Sequence, residues 1–197
     1  GVVYTATASF NSEDTWIVRD HRLMGHGLVP GTAFLEMVRS VVAPAGEATV
    51  GFRDVIFMAP VIVPAGHEKT ISIQIDQSVA PWRFSVSSRD PRGVRRDHAV
   101  GLVSLVPDAR QERVDLNEVL PQGAGVEVLT DQAEIGRRLG ADRYRAGAGP
   151  VEFWFGPRWN LLEKVTTDGQ HMLAEMRLDP AFEHDLDIYP LHPAMFD

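Results

Sequence analysis

A chain of 197 residues has room for a full core, and with no cysteine it excludes thiol catalysis, Cys-ligated zinc and disulfide frameworks together. A formal net charge of −8 argues against a general nucleic-acid binder, whose phosphate contacts need a basic face. The longest apolar stretch, VIFMAPVIVPAG at 55–66, is broken by Pro60 and Pro64 and is far shorter than the ~20 residues of a membrane span, so no transmembrane segment is expected.

The opening GVVYTATASF has neither a starting Met nor a basic leader region. It predicts a cytoplasmic chain without a signal peptide, excised from something larger. Its β-branched residues partly alternate, as in a strand. From Gly31 the pattern changes: GTAFLEMVRSVVA carries apolar side chains at Phe34, Val38 and Val41 and in most other directions, and after Thr32 only Glu36, Arg39 and Ser40 are polar. This predicts a mostly buried helix, with Pro30 in its first turn and Ala43, Pro44 and Gly46 marking its end. The runs ATVGFRDVIFM, KTISIQID, PWRFSVSSR and AVGLVSLV then read as strands divided by Pro, Gly, Asp and Ser turn signals. One central helix followed by a meander of strands predicts a sheet wrapped around that helix.

After this first unit, residues 1–106, the stretch 107–127 is polar, charged and aperiodic, and reads as a linker. The last unit, 128–197, opens on a short helix in LTDQAEIGRRLG with Thr130 as its N-cap. Strands resume in LLEKVTTDGQHMLAEMRL, where TTDG signals a hairpin, and the chain closes on YPLHPAMFD.

The chemistry-bearing residues sit at two places. His21, Gly25 and Pro30 spell HxxxGxxxxP and lead to a helix N-terminus, where free N–H groups and the helix dipole can receive developing negative charge. In LHPAMFD, Asp197 follows Pro193 by four residues, about one turn into a helix begun there, and supplies a carboxylic acid. With FWFGPRWNLL between them, these motifs resemble the dehydratase domains of modular polyketide synthases, over almost the whole chain.

The resemblance implies an α+β double-hotdog fold, the second hotdog incomplete at Asp197. It matches His21 to the base, Asp197 to the proton donor, and the backbone N–H of Gly31 to the group that polarises the thioester carbonyl. A third family motif of the type GYxYGPxF aligns with EFWFGPRW. Gly156 and Pro157 match, Trp159 stands for the terminal aromatic, Glu152 replaces the leading glycine, and Phe153 and Phe155 stand where tyrosines are usual. The phenol hydroxyls are therefore missing from the expected channel wall.

The implied reaction is dehydration of a 3-hydroxyacyl thioester to the 2-enoyl thioester. It needs no metal or organic cofactor, the substrate riding on the phosphopantetheine of an acyl carrier protein. The implied partners are that carrier, neighbouring synthase domains and a second copy in a homodimer, with no nucleic acid and no membrane. A dehydratase-like cyclase forming an oxygen heterocycle, and a catalytically silent dehydratase-like scaffold, share the same pattern.

Other features have plainer readings. His26 reads as loop or channel mouth; His67, His98, His171 and His184 as solvated or strand residues; His192 as a structural residue that hydrogen-bonds at the helix start. EHDLD at 183–187 lacks a metal-ligand spacing and reads as a solvated turn. The arginines Arg137, Arg138, Arg143 and Arg145, with Arg158 near by, read either as a solvated face or as a docking patch for an acidic carrier or its phosphate.

Overall fold

The computed structural model describes residues 1–44, 48–106, 114–123, 125–139 and 152–197. Strand β1 (Val3–Asn11) is followed by one turn of helix α1 (Trp16–Arg19), by a short hairpin of β2 (His21–Leu23) and β3 (His26–Val29), and by helix α2 (Gly31–Val42). Then come β4 (Thr49–Phe57), β5 (Val61–Val63), β6 (Glu68–Asp76), β7 (Trp82–Arg89) and β8 (Arg95–Val106). β1, β6, β7, β8 and β4 form, in that order, a five-stranded antiparallel sheet. The expected wrap of sheet around helix is present. Ile71, Ile73 and Ile75 alternate along β6 onto the inner face, and with Phe84, Val86 and Val103 they bury Phe34 and Val38 of α2. Each fully buried side chain of this kind stabilises by roughly 1.5–3 kcal/mol.

The helix begins one residue later than its proline suggested, because Pro30 keeps an extended backbone as the N-cap. A bulge between Arg53 and Ile56, with Asp54 at φ +51°, interrupts the register of β4 with β8, which resumes at Ile56 opposite Val100.

In the remainder, a helical turn α3 (Leu116–Val119) lies within the stretch expected as linker, and β9 (Glu127–Leu129) starts at its last residue. Helix α4 (Gln132–Leu139) is capped by Asp131, whose Oδ1 accepts the Glu134 N–H at 2.8 Å; Thr130 is not its cap. β10 (Phe153–Phe155) joins β2, β3 and β5 in a second sheet of order β10-β2-β3-β5. β11 (Leu162–Thr167) and β12 (Met172–Met176) make the hairpin that TTDG signalled, flanked by β9, and α5 (Asp185–Ile188) precedes the last residues. No helix among the described residues is long and apolar enough to cross a membrane.

His98, expected to be a solvated or strand histidine, is a fully buried residue of β8. Its Nδ1 lies 3.0 Å from the Ala59 carbonyl oxygen, which can only accept, so Nδ1 carries the proton and the Ser88 hydroxyl donates to Nε2 at 2.8 Å. Burial holds its pKa below the ordinary 6.5. The unfolded chain therefore binds this proton at a pH where the folded one does not. The contribution is full above 6.5 and is lost as pH falls from there toward the depressed folded value. The thermal midpoint is expected to fall on acidification below about pH 6.5, and to fall less steeply in His98→Gln. Scanning calorimetry across that range checks this, and an identical slope in the variant contradicts it.

Candidate active site

The spacing of HxxxG has a mechanical meaning. Met24 and Gly25, both at positive φ (51° and 79°), form the two-residue turn between β2 and β3 and set the register Arg22 opposite Gly27 and Leu23 opposite His26. His21 consequently faces Leu28, and its Nδ1 donates to the Leu28 carbonyl at 2.7 Å. In the neutral ring this bond places the proton on Nδ1 and the lone pair on Nε2. Pro30 then ends the strand and starts α2, so the free N–H of Gly31 borders the same cavity as His21. A Cβ at Gly31 would lie 2.8 Å from the Phe57 ring, so a larger residue here would require that ring to move.

On the other side of His21 lies the third motif. β10 runs antiparallel to β2 with Phe155 opposite His21 and Phe153 opposite Leu23, and the Gly156 N–H bonds the Asp20 carbonyl at 2.7 Å. Gly156 has no alternative: a Cβ there would sit 2.6 Å from Cβ of Asp20. Pro157 opens a 3₁₀ turn (Pro157–Trp159) that lays the Trp159 indole on the His21 imidazole, centroids 5.1 Å apart and planes within 18°. Phe155 touches His21 at 5.4 Å and Phe153 stacks on Phe155 at 6.0 Å.

Asp197 is brought to His21 from 176 positions away in sequence, with Oδ2 3.4 Å from His21 Nε2 and 3.1 Å from the indole nitrogen of Trp159. The sequence suggested an α-helix begun at Pro193. The structure has one 3₁₀ turn, Pro193–Met195, closed by Met195 N–H to His192 O, after which Phe196 leaves helical backbone. What holds this segment is α2: the Thr32 hydroxyl donates to the Pro193 carbonyl at 2.8 Å, and the Leu191 N–H donates to Glu36 at 2.9 Å. Glu36 is itself buried and accepts from Nε and Nη2 of Arg39, each at 2.8 Å. These polar exceptions in the helix pattern, one turn apart, tie the two halves together. The sequence showed them only as polar positions.

A second buried set lies beneath the pair. Arg158, read from sequence as part of a solvated face or of a docking patch, is 9% exposed; it bonds Asp185 at 2.6 Å and Asp20 at 3.3 Å, and lies over the rings of Trp16 and Phe182. A guanidinium consumed in this way offers no charge to a carrier, which corrects that reading. Asp185, expected in a solvated turn, is likewise buried. The His192 ring is fully buried, and among the described residues neither of its nitrogens has a hydrogen-bond partner. Its Nε2 is 3.6 Å from Asp185 Oδ2, beyond hydrogen-bond reach, burial lowers its pKa, and its ring stacks on Trp16 at 5.2 Å. It supports the segment by stacking where hydrogen bonding was expected. Arg137 and Arg138 are exposed on α4 and are paired with Glu134 and Glu127, while Arg143 and Arg145 lie outside the described residues.

The pair opens on a cavity of about 550 Å³. Val29, Phe34, Phe57, Met58 and Phe196 make its wall apolar, and Gly31 and Thr32 contribute the helix N-terminus. Phe153, Phe155 and Trp159, expected as channel wall, flank the pair from outside this cavity. Among the described residues there is no group of three or more His, Cys, Asp or Glu arranged to hold a metal. An imidazole nitrogen, a carboxyl group and a helix N-terminus border one apolar space, a set of groups able to move protons.

A family model described as polyketide synthase dehydratase domain matches residues 2–89, and a second, described as polyketide synthase dehydratase N-terminal domain, matches residues 130–197. The chain belongs to the dehydratase domains of polyketide synthases.

Polyketide synthase PksN of Bacillus subtilis (strain 168) is 24% identical over 190 residues, 90% of this chain and 3% of PksN. Polyketide synthase ThaG of Burkholderia thailandensis is 29% identical over 177 residues, 85% of this chain and 3% of ThaG. The chain thus spans a small part of these long synthases. Among solved structures, the dehydratase domain from the CurF module of curacin polyketide synthase superposes with a TM-score of 0.79 at 18% identity, covering 99% of this chain and 68% of that one. An N-terminal dehydratase from the difficidin assembly line gives 0.76 at 20% identity, covering 99% and 66%. The shared α+β hotdog fold follows from these superpositions.

Proposed function

We propose that this chain dehydrates a 3-hydroxyacyl thioester to the 2-enoyl thioester during polyketide chain elongation. The observation that carries the reading is the 3.4 Å approach of His21 Nε2 to Asp197 Oδ2 at the edge of an apolar cavity that also holds a helix N-terminus. The CurK dehydratase of the curacin synthase, which shares the fold, is described with a histidine-to-phenylalanine and an aspartate-to-asparagine variant as inactive mutants, the same two residue types that meet here.

The steps balance on these residues. His21 Nε2 takes the α-proton, and the thioester oxygen gathers negative charge beside the Gly31 N–H. The C–O bond at the β-carbon then breaks as Asp197 protonates the departing hydroxyl, releasing water and leaving the α,β double bond. His21 is left as imidazolium and Asp197 as carboxylate. They face one another across 3.4 Å, so the proton gained by one returns to the other and the site is reset. None of these steps uses a metal or organic cofactor. The acyl chain is proposed to arrive on the phosphopantetheine of an acyl carrier protein, as one step among the domains of a larger synthase.

Mass spectrometry of 3-hydroxyacyl pantetheine thioesters incubated with the full-length protein tests the reading. The expected product is lighter by one water. A ring of unchanged mass from a substrate with a distal hydroxyl would show a cyclase instead, and binding without any product would show a silent scaffold.

A further inference from the structure

Trp159 touches both members of the pair. Its ring face lies on the His21 imidazole, and its Nε1–H donates to the Asp197 oxygen that faces His21. It is locked in turn: its backbone N–H bonds the Gly156 carbonyl at 3.0 Å, and Trp16 packs against it with centroids 5.8 Å apart. We propose that Trp159 is the positioning residue of this active site, holding the base by its face and the acid by its edge, so that one rigid side chain fixes their separation.

The chemistry of indole makes the contact directional. Indole nitrogen donates and does not accept, so the bond is strongest once Asp197 has released its proton to the departing hydroxyl and carries negative charge. A contact that tightens along the reaction accelerates it, where one of constant strength only aids binding. The family pattern has phenylalanine here, which keeps the ring face and lacks the donor. In this chain, Phe153 and Phe155 stand without hydroxyls and the indole supplies a donor at the acid. The inference rests on the dehydratase reading for its catalytic sense, and on geometry alone for the contact.

Trp159→Phe in the full-length protein keeps an aromatic face against His21 and removes the donor. In heavy water, with a 3-hydroxyacyl pantetheine thioester, kcat for water loss is expected to fall about tenfold with KM within about twofold. Deuterium uptake at the α-carbon of recovered substrate needs the base alone, and is expected to persist. The ratio of uptake to water loss therefore rises. 3-Benzothienylalanine at position 159, which replaces the N–H by sulfur at nearly the same shape, is expected to reproduce this, while Trp159→Ala lowers both activities.

A second readout needs no turnover. The Trp159 indole N–H resonance, assigned by its loss in Trp159→Phe, is expected to shift and to exchange faster with solvent in Asp197→Ala, with those of Trp82 and Trp154 unmoved. An indole resonance indifferent to Asp197→Ala, or equal losses of uptake and water loss in Trp159→Phe, overturns the proposal. The intact indole signature in a protein that turns over no thioester overturns the dehydratase reading, and the catalytic sense of this proposal with it.

Discussion

His21→Phe is expected to lower kcat for water loss by about a hundred- to ten-thousand-fold, the usual contribution of a positioned base. The substitution keeps a flat ring of similar size between Trp159 and Phe155, so packing is retained. It gives up the 2.7 Å bond to the Leu28 carbonyl, a loss of about 1 kcal/mol in stability. α-Deuterium uptake should vanish together with water loss, since both begin at Nε2. Circular dichroism and thermal unfolding confirm that the variant is folded. A folded variant that dehydrates within about tenfold of the parent removes His21 from the mechanism.

Asp197→Asn is expected to reduce water loss to a similar degree for a different reason. The amide preserves shape and can still accept the Trp159 N–H, but it has no acidic proton for the leaving hydroxide. Because His21 is untouched, α-deuterium uptake into unreacted substrate should continue. The two variants are thus separated by one ratio: both reactions fail in His21→Phe, and only elimination fails in Asp197→Asn. Loss of uptake in a folded Asp197→Asn would mean that the carboxylate also sets the state of the base.

What could be read from sequence was local. The spacing of Phe34, Val38 and Val41 and the alternation in KTISIQID each describe one element against one core, and the helix and sheet follow. His21 and Asp197 were found through motif spacing, and the structure supplies the reason for that spacing: the turn at Gly25 fixes the register that hands Nδ1 to Leu28.

The hairpin itself was not legible. Its strands have three and four residues, and its turn places Met24, no usual turn former, at positive φ. The supports of the site were hidden because their partners are remote. Arg158 reaches Asp20 across 138 positions and Leu191 reaches Glu36 across 155, distances over which no periodicity carries information. A buried arginine among surface arginines looks the same in sequence, and only its two carboxylates and two rings tell it apart.

The central claim is that His21 and Asp197 act on one substrate as base and acid. It is tested most directly by incubating a 2-enoyl thioester with the full-length protein in heavy water and locating deuterium in the hydrated product by mass spectrometry. Since the same groups serve both directions, the hydrated thioester is expected to carry one deuterium at the α-carbon, and to be formed by neither His21→Phe nor Asp197→Asn. Hydrated, α-deuterated product from either folded variant at the parent's rate would contradict the claim.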